Sequence, residues 1–428
     1  MWNRAPPGSA RIRHSCSALK SALGLGPPAC DVHALNSPRD CPKDLPAGKA
    51  GFSHAVRNRF VIAVMAGFFF GCAQLPRSEL PVPQKIDGPP GHLLLKLPMQ
   101  GAPRGASAWR VLYVSSGLSG KPIPVSGVII IPNDPAPGPG RDVVAWAHPT
   151  TGVQDDCAPS LKSDFFKRIP GLADMLSRGF IVTATDYPGL GTPGTHPYLV
   201  GVSEGRAVLD SVRAARQLAP VSRRFAIWGH SQGGHAGLFA GQLARNYAPE
   251  FSLKGIAVAA PATDLKSLLS EDIGSEIGKV LGCYTLWSWC KIYALPQDQI
   301  FDPKDDALLN AITGTCIETL EDEFKIFGKA RRLTPGFVVR NPASTEPWKS
   351  LLERNTPGAA PAGAPVYISQ GTKDPIVHFD ITLAFVRRLQ RKGEKVHFVQ
   401  LPGVRHHLAG KVSAPTAVEW IAQRFSNK

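Results

Sequence analysis

Arg224–Ala244 reads RFAIWGHSQGGHAGLFAGQLA. A short apolar run, Phe225–Trp228, suits a buried strand, and the Ala/Leu/Gly-rich tail suits a helix. Between them, Gly229-His230-Ser231-Gln232-Gly233 matches G-x-S-x-G in the strand–turn–helix setting that gives the pattern meaning. So tight a turn brings strand and helix backbones together, and side chains at the outer glycines would clash. The turn thrusts Ser231 Oγ out at the C-terminal edge of a sheet.

Working outward, the rhythm is β–α. Upstream, His92–Met99, Ala108–Ser115 and Ile123–Pro132 read as strands, and Asp142–Ala147 (DVVAWA) as a strand buried on both faces. A helical pattern covers Phe165–Ser177, a strand Phe180–Thr185, and an amphipathic helix Glu204–Leu218 with Val208, Val212 and Ala215 on one side. Downstream, Gly255–Ala260 is a strand. From about 264 to 347 the rhythm breaks into short helical pieces, which reads as an inserted cap. It resumes with strands Pro365–Gln370 and Val396–Leu401 and helices Ile376–Arg391 and Val412–Phe425. Strands alternating with helices predict an α/β fold: a mostly parallel sheet with helices on both faces, spanning 92–428.

The chain has 428 residues, 43% hydrophobic, with 42 glycines and 40 prolines. That is enough for one large core plus an insertion. After residue 75 no run approaches the roughly 20 apolar residues of a membrane span. Net charge is +15, of which residues 1–71 carry +6. The basic residues are scattered rather than interleaved with aromatics, which argues against nucleic acid as a partner.

Residues 1–55 are rich in Pro, Gly, Arg and Ser, lack periodicity, and read as disordered or as an over-extended reading frame. Residues 56–73 have the physics of a signal peptide: Arg57-Asn-Arg59, an apolar Phe60–Phe70, then Gly71-Cys72-Ala73. Gly71-Cys72 resembles the end of a lipobox, with Cys72 as the lipidated residue. Cleavage after Ala73 and an uncleaved anchor are the alternatives. Residues 74–91 form a Pro-rich lead-in. The expected location is therefore exported: periplasmic, anchored at an outer membrane, or secreted, with membrane contact through the N-terminus. Export leaves Cys157, Cys283, Cys290 and Cys316 in the body, with three ways to form two disulfides. No Cys or His spacing suits a metal site, and no cofactor motif is evident.

A serine needs a base, and the base needs a group that holds its tautomer. Asp374 follows the strand VYISQ, where a loop aims it at the sheet's C-terminal edge; Asp380 lies further on, within the helix pattern. His406 follows the strand ending at Leu401, with His407 its adjacent rival, while His378 sits on the wrong side of Asp374. Ser231, then Asp374, then His406 is the α/β-hydrolase order. Backbone donors for an oxyanion are expected at Gln232 and, in the loop after DVVAWA, at Thr150; Pro149 has no N–H to give. Gly201-Val-Ser203-Glu-Gly205 is a second G-x-S-x-G. Its preceding run is short, and Ser203 reads as a helix N-cap.

AHPTTG (147–152), CAPS (157–160), DYPGLG (186–191), HPYL (196–199) and GHSQGG (229–234), in that order, resemble the secretory lipase family, which includes the yeast-type lipase A enzymes. The resemblance runs from about residue 90 to the C-terminus. It implies an α/β-hydrolase with an inserted helical cap that hydrolyses acyl esters or lipids, with Ser231, Asp374 and His406 as nucleophile, acid and base. It also implies a Cys157–Cys316 bridge to the cap, leaving Cys283 and Cys290 to pair. Leu286, Trp287 and Trp289 are candidates for an acyl pocket in the cap. A carboxylesterase for short or polar esters, a peptidase, and a catalytically silent lipid-binding lipoprotein are the rival readings.

Overall fold

The computed structural model describes residues 80–426; the signal-peptide reading, the lipobox Cys72 and the start of the lead-in lie outside them. The chain opens with three antiparallel strands, β1 (Leu93–Pro98), β2 (Ala106–Ser116) and β3 (Pro122–Pro132). It continues with β4 (Arg141–Ala147), α1 (Leu172–Ser177), β5 (Ile181–Thr185), α2 (Gly201–Ala215), β6 (Val221–His230), α3 (Gln232–Tyr247) and β7 (Ser252–Ala259). An insertion follows: α4 (Leu265–Asp272), α5 (Glu276–Ile292), α6 (Asp306–Thr313), α7 (Leu320–Ala330) and α8 (Trp348–Arg354). The fold closes with β8 (Val366–Gly371), α9 (Phe379–Arg391), β9 (Val396–Leu401) and α10 (His406–Ser426).

The nine strands among the described residues form one sheet in the order β1-β2-β3-β5-β4-β6-β7-β8-β9, parallel from β5 onward. From β4 the chain steps to β5 on one side, then crosses back to β6 on the other. Ligand crevices of open α/β sheets lie outside the strand ends at such a reversal. The loops after β4 and β6 therefore meet there.

The DVVAWA reading holds at side-chain level. Val143, Ala145 and Ala147 of β4 join Phe225, Ile227, Ile256 and Val258 in a core covered by α2, α3 and α9. Val144 and Trp146 join Ala226, Trp228 and Ala257 in the core beneath α1 and α10. This two-residue alternation, apolar on both faces, is what helices above and below a parallel sheet require.

Three expectations change. Phe165–Ser177 is not one helix: a 3₁₀ turn at Phe165–Arg168 precedes the short α1. Ser203 does not cap α2, which begins at Gly201 after Val200; the serine lies inside the helix, 2% exposed. The insertion extends past 347, because α8 packs on α4 and its Trp348, Leu351 and Leu352 join the insertion's apolar core. Local signals start the inserted helices: Asp264 and Ser275 accept amide bonds from Ser267 and Gly278, and Thr319 with Asp322 forms a capping box. Each such cap is worth about 1 kcal/mol.

Candidate active site

Ser231 stands between the last residue of β6 and the first of α3, with φ 56° and ψ −116°. That is an unfavourable conformation for a residue with a Cβ. It is held because Ser231 N–H donates to Ala259 O at 3.0 Å, while Ser231 O accepts from His235 N at 3.0 Å. The glycines are steric necessities: a Cβ on Gly229 would strike the Gly233 carbonyl, and one on Gly233 the Ala147 carbonyl. On Gly234 it would lie 2.7 Å from Pro261 Cβ.

Ser231 Oγ lies 2.8 Å from His406 Nε2, and His406 Nδ1 lies 2.8 Å from Asp374 Oδ2. Asp374 sits in the turn after β8, and His406 is the first residue of α10, earlier than the Val412 start expected. The sequence therefore supplies three strand ends that converge. Asp374 Oδ1 accepts the amides of Ile376 and Val377 at 2.9 Å each, and Oδ2 also accepts Gln370 Nε2 at 2.9 Å. Burial alone would raise this carboxyl. The hydrogen bond and charge of His406 and the two amides outweigh it and hold the group below its ordinary value. His407 is exposed at the cleft rim, Asp380 is exposed on α9, and His378 pairs with Asp272 at 3.0 Å. His230 donates from Nε2 to His406 O at 3.0 Å; burial, aided by the neighbouring His406, pushes it down to about 3, so its ring stays neutral.

Gln232 is the first residue of α3, so its amide is among the four that a helix leaves without internal partners. Thr150 lines the same cleft, its Oγ1 2.8 Å from Tyr198 OH. The cleft encloses about 420 Å³. One wall is apolar, from Leu265 and Leu269 of α4 and Ile277 and Leu281 of α5, with Gly282 among them, where a Cβ would come 2.6 Å from Ile273 Cδ1. Lys167, Arg168, Lys411, Glu318 and Glu323 form a charged rim.

The proposed pocket residues need correction. Leu286, Trp287 and Trp289 do not line the cleft; they belong to the insertion's own core, and Trp289 Nε1 donates to Tyr198 O at 2.9 Å. α5 is apolar around most of its circumference, so composition does not tell which face meets substrate. The Cys157–Cys316 bond is present, joining the loop after β4 to the stretch between α6 and α7. Cys283 and Cys290 are both free. They stand seven residues apart on one helix, about 10 Å along its axis, whereas a disulfide needs Cα atoms within about 7 Å. Among the described residues, metal-type ligand atoms converge at Asp156, Cys157 and Cys316, where the two sulfurs are bonded to each other.

Sequence reasoning missed Gln370, Glu204 and Asn355; it reads His235, beside the elbow, only as a pocket or packing residue. Glu204 and His235 are both fully buried and lie 2.8 Å apart. The one available signal was an acidic residue inside the second G-x-S-x-G.

The profile of the family described as secretory lipase matches residues 170–282. Lipase 5 of Candida albicans is 24% identical over 357 residues, covering 75% of this chain and 73% of its own. Lipase A of Candida antarctica in its closed state superposes with a TM-score of 0.66 at 18% identity, covering 79% of this chain and 83% of its own. The rice cell wall degrading esterase LipA of Xanthomonas oryzae superposes with a TM-score of 0.65 at 21% identity, covering 79% and 98%. The chain is similar to secretory lipases, which are ester-hydrolysing enzymes, and has the α/β-hydrolase fold.

Proposed function

We propose that this protein is an exported serine hydrolase that cleaves carboxylic esters through an acyl-enzyme on Ser231, with acyl lipids as the substrate class. The observation that carries the reading is the unbroken chain Ser231–His406–Asp374 at the floor of an apolar cleft. Ser231 Oγ attacks the ester carbonyl carbon as His406 Nε2 takes its proton. Asp374 fixes the ring through Nδ1 and offsets its positive charge. The carbonyl oxygen becomes an oxyanion held by the amides of Gln232 and Thr150. The C–O bond to the alcohol breaks, and His406 returns the proton to the leaving oxygen. A water then attacks the acyl-enzyme by the same route and releases the acid.

The cap, residues 264–354, serves as the acyl-binding wall. The N-terminal segment directs export, through Cys72 lipidation or cleavage nearby, and brings the enzyme to membrane surfaces. An esterase for short or polar esters is the second reading, favoured by the charged rim of the cleft. A silent lipid-binding protein is disfavoured by the intact hydrogen-bond chain.

The test is hydrolysis of a p-nitrophenyl ester series and a long-chain triglyceride, with Ser231→Ala as control, alongside fluorophosphonate labelling. A wild-type protein that neither hydrolyses nor labels overturns the reading; so does a Ser231→Ala variant that still labels. A profile confined to acetate and butyrate selects the esterase.

A further inference from the structure

The second G-x-S-x-G, Gly201–Gly205, is not a nucleophile turn, yet the structure gives it a purpose. A Cβ on Gly201 would collide with the Phe239 ring, and one on Gly205 would lie 2.9 Å from Ala240 N. The two glycines let α2 press against α3. That approach delivers the Glu204 carboxylate to the first turn of α3, with no exposure to solvent. A carboxylate taken wholly out of water is costly unless every oxygen is engaged. Here both are. Oε1 accepts from Gln232 Nε2 at 2.7 Å and from Leu199 N at 3.0 Å. Oε2 faces His235 Nδ1 at 2.8 Å, and His235 Nε2 donates to Asn355 O at 2.7 Å.

The Gln232 side chain has no freedom left. Its second amide hydrogen goes to His196 Nε2 at 3.0 Å. That nitrogen accepts, because His196 Nδ1 donates to Pro188 O at 2.8 Å and burial lowers the ring to about 4, keeping it neutral. Gln232 Oε1 meanwhile has no hydrogen-bond partner among the described residues. The amide gives up an acceptor bond to aim both hydrogens at Glu204 and His196. The same carboxylate holds Leu199 N, and the neighbouring Tyr198 OH reaches Thr150 Oγ1 at 2.8 Å. The residues carrying both backbone donors of the proposed oxyanion hole are thus tied to one buried carboxylate.

We propose that Glu204, backed by His235, is the positioning residue of the oxyanion hole: it clamps the Gln232 side chain and the Tyr198–Leu199 segment so that the Gln232 and Thr150 amides stand ready before the negative charge develops. This rests on the acyl-transfer reading above. A donor aimed only at the transition state changes kcat rather than substrate binding.

The experiment compares wild type and Glu204→Gln in the full chain, counting functional sites by fluorophosphonate titration so that misfolded protein drops out. Kinetics with p-nitrophenyl butyrate are paired with inhibition by an alkyl boronic acid. Ser231 Oγ adds to its boron as the Oγ proton passes to His406, leaving a tetrahedral anion in the oxyanion hole. The expected result is a fall of about 10- to 100-fold in kcat per titrated site, with boronate affinity weakened by a similar factor and KM changed less than about threefold. Gln232→Leu, which keeps the backbone amide and removes the clamped side chain, should give the same pattern and decides the matter if Glu204→Gln does not fold. Wild-type kcat per site in either folded variant overturns the proposal, as does a loss confined to KM with boronate affinity intact. A wild-type protein silent toward ester and fluorophosphonate overturns the acyl-transfer reading, and this inference with it; an active wild type with an unimpaired Glu204→Gln overturns this inference alone.

Discussion

Gln370 Nε2 and His406 Nδ1 converge on the same oxygen of Asp374, at 2.9 and 2.8 Å. Gln370 is itself fixed, because its Oε1 accepts from Thr382 Oγ1 at 2.8 Å. The carboxylate that orients His406 is thus oriented from behind by a strand residue. Gln370→Leu removes that donor without touching the reacting atoms. It should lower kcat by about tenfold, as typical of losing a partner behind a first ligand, and stopped-assay kinetics on a short-chain ester would check it. An unchanged kcat would mean the two amides and His406 suffice.

The Asp374 shift fixes the sign of a pH dependence. Its folded-state value lies below the ordinary value of about 3.9. Stability from this group is therefore complete above that ordinary value and is lost as pH falls through the lower folded one. Asp374→Asn should flatten the acid limb of the unfolding-midpoint profile below pH ~4. It should also cut kcat by about 10³- to 10⁴-fold at neutral pH. Parallel acid limbs in wild type and variant would contradict the assignment.

Ser231 carries a strained backbone for the sake of its position. Ser231→Gly should abolish hydrolysis and raise stability by about 1–2 kcal/mol, because glycine takes this φ without penalty. Thermal melts of wild type, Ser231→Ala and Ser231→Gly separate backbone relief from loss of the hydroxyl. A Gly variant melting below Ala would contradict it.

The two cysteine pairs should behave differently. Cys157 and Cys316 close a loop of 159 residues, so Cys316→Ser should cost up to about 4–5 kcal/mol by loop entropy. Cys283 and Cys290 lie buried on α5, and burial raises both thiols. Mass-spectrometric mapping should find these two alkylated by iodoacetamide only after unfolding, and Cys157 and Cys316 only after reduction. A 283–290 linked peptide would refute this.

Cleft and core residues of α5 should also be separable. Leu281→Trp fills the cleft and should raise KM for long-chain p-nitrophenyl esters about tenfold while sparing the acetate. Trp289→Ala, in the insertion's own core about two turns further along the helix, should leave the chain-length profile unchanged and lower stability by about 3–5 kcal/mol. Chain-length kinetics and melting curves read the two effects independently.

What was legible in the sequence follows from local physics. Residues 143–147, VVAWA, are apolar at every position, which a strand covered on both faces requires. The Ser231 turn was legible because its glycines report a backbone collision. Asp374 and His406 were legible because strand ends are marked by Gly and Pro. The start of α10 was hidden by Gly410 and Pro415 inside it. The helix accommodates Pro415 because that residue lies on its exposed side, where water can serve the carbonyl one turn back. The pocket wall was hidden for a different reason. Trp287 and Leu281 have similar apolar character, and only the packing of α4, α6 and α7 decides which faces the void. Glu204 was illegible because its side-chain partners, Gln232 and His235, lie 28 and 31 residues further along the chain.

The insertion leaves the sheet after β7 and returns at β8, but the Cys157–Cys316 bond fastens it a third time, to the loop bearing Thr150. Close by, Ile317 N–H donates to Thr151 O at 2.8 Å. A body fastened at three points has less freedom to swing than one hinged at two, and the third fastener ties the cleft wall and the Thr150 loop to each other.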